Sequence, residues 1–457
     1  MKFWQRYKEE YVRLIRLGLP VLVTQLCVIT VSFADTFMVG GYGLNELAAS
    51  AFVNSLFLVV IVMLIGFAGG VTPLIGALYS RGDDYGIGHT LRASLILNSL
   101  ISIGFMVVMG VLYFFVDRMG QPVELLPLIR PYYLIMLCTL LPSAIFNCCQ
   151  QTANGTTDTS SPMWVILIAN VLNISGNYVL IYGKFGFPEL GLTGAGISTL
   201  FARVMAMAAM TAIVVFRGRY RRYRAGLTSS ESCRRRMAKV WKTSYPVGFQ
   251  SGVECSLWSF GAVVAGWFGT VQLAAYQVVN TIGQLGYMIY MSIGVAISVR
   301  VANHIGVDDL RGVRCTASAG LHIIMVMATG ASLTFLLLGH DMIGLFNDTE
   351  TVVASGSALI LPLIVYQYMD GFQLAYCNAQ RGTSEARPLM WAALISYLAV
   401  GVPVMLLFAV GFQWGNVGVY YSFSVALLSA AVLLYRWFGQ TLRRAEARLQ
   451  RKQGGKE

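Results

Sequence analysis

Charge is what this sequence has least of. Only 12% of its 457 residues are Asp, Glu, Lys or Arg, against 56% hydrophobic ones, and the mean hydropathy is +0.64. That leaves too little polar surface to clothe a water-soluble globule. Histidine is scarce as well: the four residues, at 89, 304, 322 and 340, are scattered, and no HExxH, GxSxG or phosphate-binding glycine-rich loop occurs. Enzymatic chemistry and ATP-driven transport both lack the groups they need. The eight cysteines (27, 138, 148, 149, 233, 255, 315 and 377) form no CxxC pair, and nearly all fall in predicted spans or cytoplasmic segments, which supports neither a zinc site nor a disulfide framework.

What the chain has in abundance is apolar runs of membrane-crossing length. Windows long enough to cross about 30 Å of hydrocarbon predict spans near 14–38, 47–72, 91–116, 128–152, 162–182 and 191–216, then near 241–266, 273–300, 314–338, 355–379, 388–410 and 416–439. The expected fold is all-α, with twelve transmembrane helices. The basic, amphipathic opening from Met1 to Arg16 has no cleavage pattern after it and reads as the start of an uncleaved first span. With both termini cytoplasmic, nearly all Lys and Arg fall inside, leaving Arg118, Arg130 and Lys184 outside and Arg203 within a span. The net charge of +12 therefore follows topology and points to membrane lipids, not to nucleic acid.

The halves are related. Gly155-Thr156, Asp158 and Met163-Trp164 recur, all at one offset, as Gly382-Thr383, Glu385 and Met390-Trp391. Leu47-Ala48-Ala49 and Pro20 recur, at an offset shorter by one, as Leu273-Ala274-Ala275 and Pro246. The expected division is an N-lobe at 1–216, a basic cytoplasmic linker at 217–240, a C-lobe at 241–440 and a basic cytoplasmic tail at 441–457. The linker reads as a surface segment held beside anionic headgroups. Two six-helix lobes arranged as parallel repeats place substrate between them.

Within the spans acidic residues are few: Asp35, Glu254 and Asp370. A carboxylate at the bilayer centre costs about 2.5–3.5 kcal/mol on insertion scales, so it faces a wet cavity, pairs with a cation or holds a proton. Asp35 lies nearer a span end, where an interfacial position is the other reading. Tyr366 precedes Asp370 by four residues, and Gln250 and Trp258 stand four either side of Glu254, so each carboxylate shares a helix face with polar or aromatic groups. Asn170, Asn173 and Asn177 line one face of the fifth span, as interhelical hydrogen bonds or as a cavity lining. Arg203, with no acid at helical spacing, has no assigned role.

These residues resemble the multidrug and toxic compound extrusion family, in its NorM-like branch. The resemblance rests on Pro20 to Gly41 (P-V-L-V-T-Q-L…F-A-D-T-F-M-V-G-G), on Asn173 to Gly196 (N-I-S-G-N-Y-V-L-I-Y-G-K-F-G-F-P-E-L-G-L-T-G-A-G), and on Tyr366-Gln367-x-x-Asp370 followed by Gln380-Arg381-Gly382-Thr383. It implies two pseudo-symmetric six-helix lobes around a central cavity and export of bulky, often cationic drugs by alternating access. Sodium or proton entry would drive export, with no cofactor, in a multi-pass protein of the bacterial inner membrane that works as a monomer. Glu254, Asp370 and Tyr366 match the family's C-lobe cation site, where Glu254 and Asp370 would hold sodium, and Asp35 matches its N-lobe acid. Gln250, Gln277, Asn280, Gln284, Asn173 and Asn177 are the substrate-cavity candidates. Asn177 departs from the archaeal branch, which has an aspartate there.

Three rival readings are weaker. A lipid-linked saccharide flippase of similar architecture needs a basic cavity, and a membrane-embedded enzyme or receptor needs a catalytic or ligand cluster. A major-facilitator carrier shares the six-plus-six pattern, but Gly76 to Asp84 lacks the basic ending of its loop motif.

Overall fold

The computed structural model describes residues 2–229, 233–346 and 349–454. Among these residues every regular element is helical. In hydrocarbon each backbone N–H and C=O must be satisfied within the protein, and a helix does this within one segment.

The first half of the chain builds α1 (Lys2–Tyr42), α2 (Leu44–Gly69), α3 (Val71–Ser80), α4 (Asp84–Tyr113), α5 (Leu126–Gly155), α6 (Ser160–Ile181) and α7 (Gly191–Phe216). After the short α8 (Arg224–Leu227) come α9 (Arg234–Trp267), α10 (Thr270–Gly306), α11 (Leu310–Phe346), α12 (Glu350–Ser357) and α13 (Ile360–Gly382). The next span starts as α14 (Arg387–Ala393), passes through a π-helical stretch at Leu394–Gly401 into α15 (Val402–Leu406), and ends in a second π-helical stretch at Leu407–Gly411. Pro403, which has no N–H to donate, stands between the two π stretches. Last comes α16 (Gly415–Gly454).

By length and composition ten spans qualify as membrane-crossing, with α2 and α3 counted as one, and α12 with α13, bent by 45°, makes an eleventh. The twelfth is α9, 34 residues long, whose Gln250, Ser251, Glu254 and Ser256 dilute its apolar character. The twelve spans expected from the sequence are present. Their helices run further than the apolar windows, and the expected tail is a continuation of α16 as far as Gly454. Two ion pairs tie this extension down: Arg314 lies 2.7 Å from its Glu446, and its Arg448 lies 3.7 Å from Glu385.

Two compact units result. One is Val23–Gly248, here the N-terminal unit; the other, the C-terminal unit, joins Met1–Leu22 to Phe249–Glu457. The divisions fall inside α1 and α9, two residues past Pro20 and Pro246. The opening of α1 belongs with the C-terminal unit because Glu10, 3% exposed, is enclosed there. Its carboxylate accepts from Arg300 Nε (3.1 Å) and Nη2, from Thr316 Oγ1 (3.0 Å), and lies 3.2 Å from His304 Nε2. His304 Nδ1 lies 3.1 Å from Asp309, which also pairs with Arg6 and caps α11 through Gly312 N. Tyr11 Oη adds a bond of 2.9 Å with His322 Nδ1.

In the N-terminal unit the described residues of the linker keep most of their arginines exposed while two tyrosines pack inward. Tyr220 and Tyr223 are buried, Arg222 reaches Asp84 at 3.5 Å and Arg236 reaches Asp83 at 4.0 Å. Helix α8 crosses α4 at two facing glycines: a Cβ on Gly88 would sit 1.9 Å from Tyr223 O, and one on Gly226 would sit 2.1 Å from Tyr85 O. Gly88→Val is therefore expected to detach α8, which faster proteolysis of the linker would reveal; an unchanged cleavage rate contradicts this packing.

Asp158, in the loop before α6, anchors the same region. Its carboxylate accepts from Ser161 N (3.1 Å), Ser161 Oγ (2.7 Å) and Tyr220 Oη (2.8 Å). Burial pushes this carboxyl up, but the bonds from Ser161 and Tyr220 and the nearby Arg219 charge outweigh it and hold the group below its ordinary 3.8. A depressed folded-state value stabilises the protein above the unfolded value, and the contribution is lost as pH falls through the folded one. Asp158→Ala should lower stability by about 1–3 kcal/mol at neutral pH, with the difference from the parent protein shrinking in acid below 3.8. A difference that stays constant down to pH ~2 would rule out this linkage.

Candidate cation-binding site

One face of α13 carries Tyr366, Asp370, Gln373, Cys377 and Arg381, at successive intervals of three or four residues. This stripe points into the C-terminal unit. Asp370 is 1% exposed, and neither carboxylate oxygen has a hydrogen-bond partner among the described residues. Such orphaned acceptors are rare in folded proteins and call for a proton, a water or a cation.

Helix α9 brings Glu254 within electrostatic reach of Asp370. Gln250, one turn earlier, donates from Nε2 to Glu254 Oε2 at 3.4 Å and lies 3.2 Å from Cys377 Sγ, while its own Oε1 is unpartnered. The first π stretch presents Tyr397, whose hydroxyl bonds to Glu254 and accepts from Gln373 Nε2 at 3.2 Å. Above these groups the Trp258 ring meets Tyr366 edge-on, with centroids 5.2 Å apart, and contacts Phe423 at 4.1 Å. The result is an aromatic pair flanking two carboxylates and several amide oxygens. Hard oxygen donors of this kind suit a sodium ion or protons.

Tyr366, Asp370, Glu254 and Gln250 thus come together. Two members of the cluster were not expected from the sequence. Arg381, counted there as a loop residue, lies inside α13, and its charge reaches Glu254. Tyr397 stands on the π stretch. Gln277 and Gln284, on α10, are exposed and Asn280 is half-buried; none has a described hydrogen bond to the acidic cluster.

Asp35 lies in the N-terminal unit, where it accepts a bond from Asn177 Nδ2. Asn170 Nδ2 donates to Cys27 O at 2.9 Å and Asn173 Nδ2 to Thr199 Oγ1 at 3.2 Å. The asparagine stripe is interhelical: its outer members hold α1 and its middle member holds α7. Arg203, midway along α7, donates from Nη1 to Thr139 Oγ1 at 2.9 Å and Ser143 Oγ at 3.3 Å, both on α5.

A profile of the family described as MatE matches residues 20–179 and 246–407, one block in each half. The chain belongs to the MatE family. Family members are membrane transporters, not enzymes, and this one is a multi-pass protein of the bacterial inner membrane. Among its relatives are the probable multidrug resistance protein NorM of Rhizobium meliloti, 28% identical over 94% of this chain and 93% of its own length, and the multidrug resistance protein NorM of Vibrio cholerae, 26% identical over 94% and 95%. The crystal structure of a eukaryotic MATE transporter superposes with a TM-score of 0.87 at 18% identity, covering 97% of this chain and 99% of that one. The outward-facing structure of a multidrug resistance MATE family transporter gives 0.86 at 18%, covering 96% and 97%. At these identities the structural likeness speaks for the MatE fold alone.

Proposed function

We propose that this MatE protein is a cation-coupled antiporter that exports bulky, often cationic drugs by alternating access, with both termini in the cytoplasm. The observation that carries the coupling is Asp370, a fully buried carboxylate with two unpartnered oxygens beside Glu254. The names of the NorM relatives supply the class of cargo. Glu254 and Asp370 hold the sodium ion or protons, Gln250 and Tyr397 orient Glu254, and Tyr366 with Trp258 keeps water from the site. Ion and drug need no direct contact: coupling follows if each binds a different conformation more tightly. A phosphate-binding flippase would need a basic site, and the cluster assembled in the C-terminal unit is led by two acids.

The test is efflux of a fluorescent organic cation from proteoliposomes under an imposed sodium gradient, and separately under a proton gradient. One gradient should accelerate efflux and its collapse should stop it. Equal efflux with neither gradient would eliminate the antiport reading.

A further inference from the structure

The repeat can be registered by contacts instead of by sequence alone. A Cβ on Gly155, at the end of α5, would strike Ile75 and Thr72 O; one on Gly382, at the end of α13, would strike Val301 and Ser298 O. Ile75 and Val301, like Thr72 and Ser298, are separated by the same offset as Pro20 and Pro246, so the same pair of helices closes at the same point in each unit. Both α5 and α13 run unbroken back from these glycines. Counting equally far back from each glycine pairs Ser143 with Asp370 and Thr139 with Tyr366.

The C-terminal unit therefore places its cation-site residues where the N-terminal unit places two hydroxyls, and both hydroxyls accept from the Arg203 guanidinium. The partner helices agree. Gly191 opens α7 and Gly415 opens α16, each with a left-handed φ, of +52° and +54°. Equal counts from these glycines reach Arg203 in one unit and Leu427, 1% exposed, in the other. One unit has a cation anchored to the chain; the other has an apolar residue there and a carboxylate with no hydrogen-bond partner among the described residues. Asp35, held by Asn177, is the acid of this unit whose charge reaches Arg203.

We propose that Arg203 is a tethered cation filling the N-terminal counterpart of the C-terminal cation site, so that exchangeable coupling cations bind to the C-terminal unit alone. Guanidinium keeps its proton at any physiological pH, so this cation cannot be handed on. Asp35 then acts as a fixed counter-ion and not as an ion carrier. The inference rests on the reading of Asp370 as a coupling-ion ligand.

The test counts cations bound per polypeptide in the purified, reconstituted protein, using radioactive sodium and, in parallel, proton uptake on rapid mixing with an indicator dye. The parent protein should show occupancy that Asp370→Asn removes. Arg203→Met should add a second class, roughly doubling the count if each carboxylate site takes one ion, and this class should survive Asp370→Asn but vanish when Asp35→Asn is combined with Arg203→Met. Arg203→Lys, which restores a tethered charge, should return the parental count and guards against misfolding as the cause. An Arg203→Met count equal to the parental one overturns the proposal, as does an Asp35-dependent cation already present in the parent. Failure of the coupling-site reading looks different: the parent would then bind no cation that Asp370→Asn removes.

Discussion

Asp370→Asn is expected to lower gradient-driven drug accumulation by about 10- to 100-fold, the range of a typical coupling free energy, at unchanged expression and unchanged elution on size exclusion. Asparagine keeps the volume of the side chain, and in a site where neither carboxylate oxygen has a partner it removes no existing hydrogen bond. What it removes is the charge that binds a proton or sodium ion. Substrate binding without a gradient should persist, because the loss is of coupling and not of packing. Glu254→Gln should behave alike but less severely, since Gln250 and Tyr397 can still bond to the amide. Normal transport by Asp370→Asn would remove the acidic cluster from the mechanism.

Glu10→Ala should be strongly destabilising, by about 3–5 kcal/mol, the cost of breaking a buried ion pair by deleting one partner. The carboxylate neutralises Arg300, whose side chain is 12% exposed against 4% for Glu10, and it also serves His304 and Thr316. Thr316→Val, which removes one neutral donor to that carboxylate, should cost less, about 1.5–3 kcal/mol. Thermal unfolding in detergent, with the two variants side by side, provides the comparison. Equal midpoints for Glu10→Ala and the parent would show that the cluster does not hold the opening of α1.

The acidic site was legible in the sequence because hydrocarbon leaves so few reasons for a carboxylate. Asp370 and Glu254 stood out against apolar neighbours, and helical spacing put Tyr366 and Gln250 beside them. Arg381 did not stand out, although it follows Cys377 by four residues on the same stripe: it is one residue from the end of α13, where charge is read as loop. Tyr397 escaped for another reason, since a π stretch breaks the 3.6-residue phase by which faces are assigned. Arg203 was visible but mute, because its acceptors are hydroxyls on another helix and no local spacing reveals them. The folded linker was hidden by its own charge, whose partners Asp83, Asp84 and Asp158 are far away in sequence.

The division of α1 and α9 just past their prolines has a consequence for how the chain can be dissected. Each compact unit is opened by a helix whose first turns are counted with the other unit. The two exchange points, after Leu22 and after Gly248, are separated by the interval that separates Pro20 from Pro246, which is the repeat offset itself. A half-chain cut at the linker would therefore lack a piece of its own unit and carry a piece of its neighbour's. The two halves made as separate polypeptides should recover the fold only when they are made together.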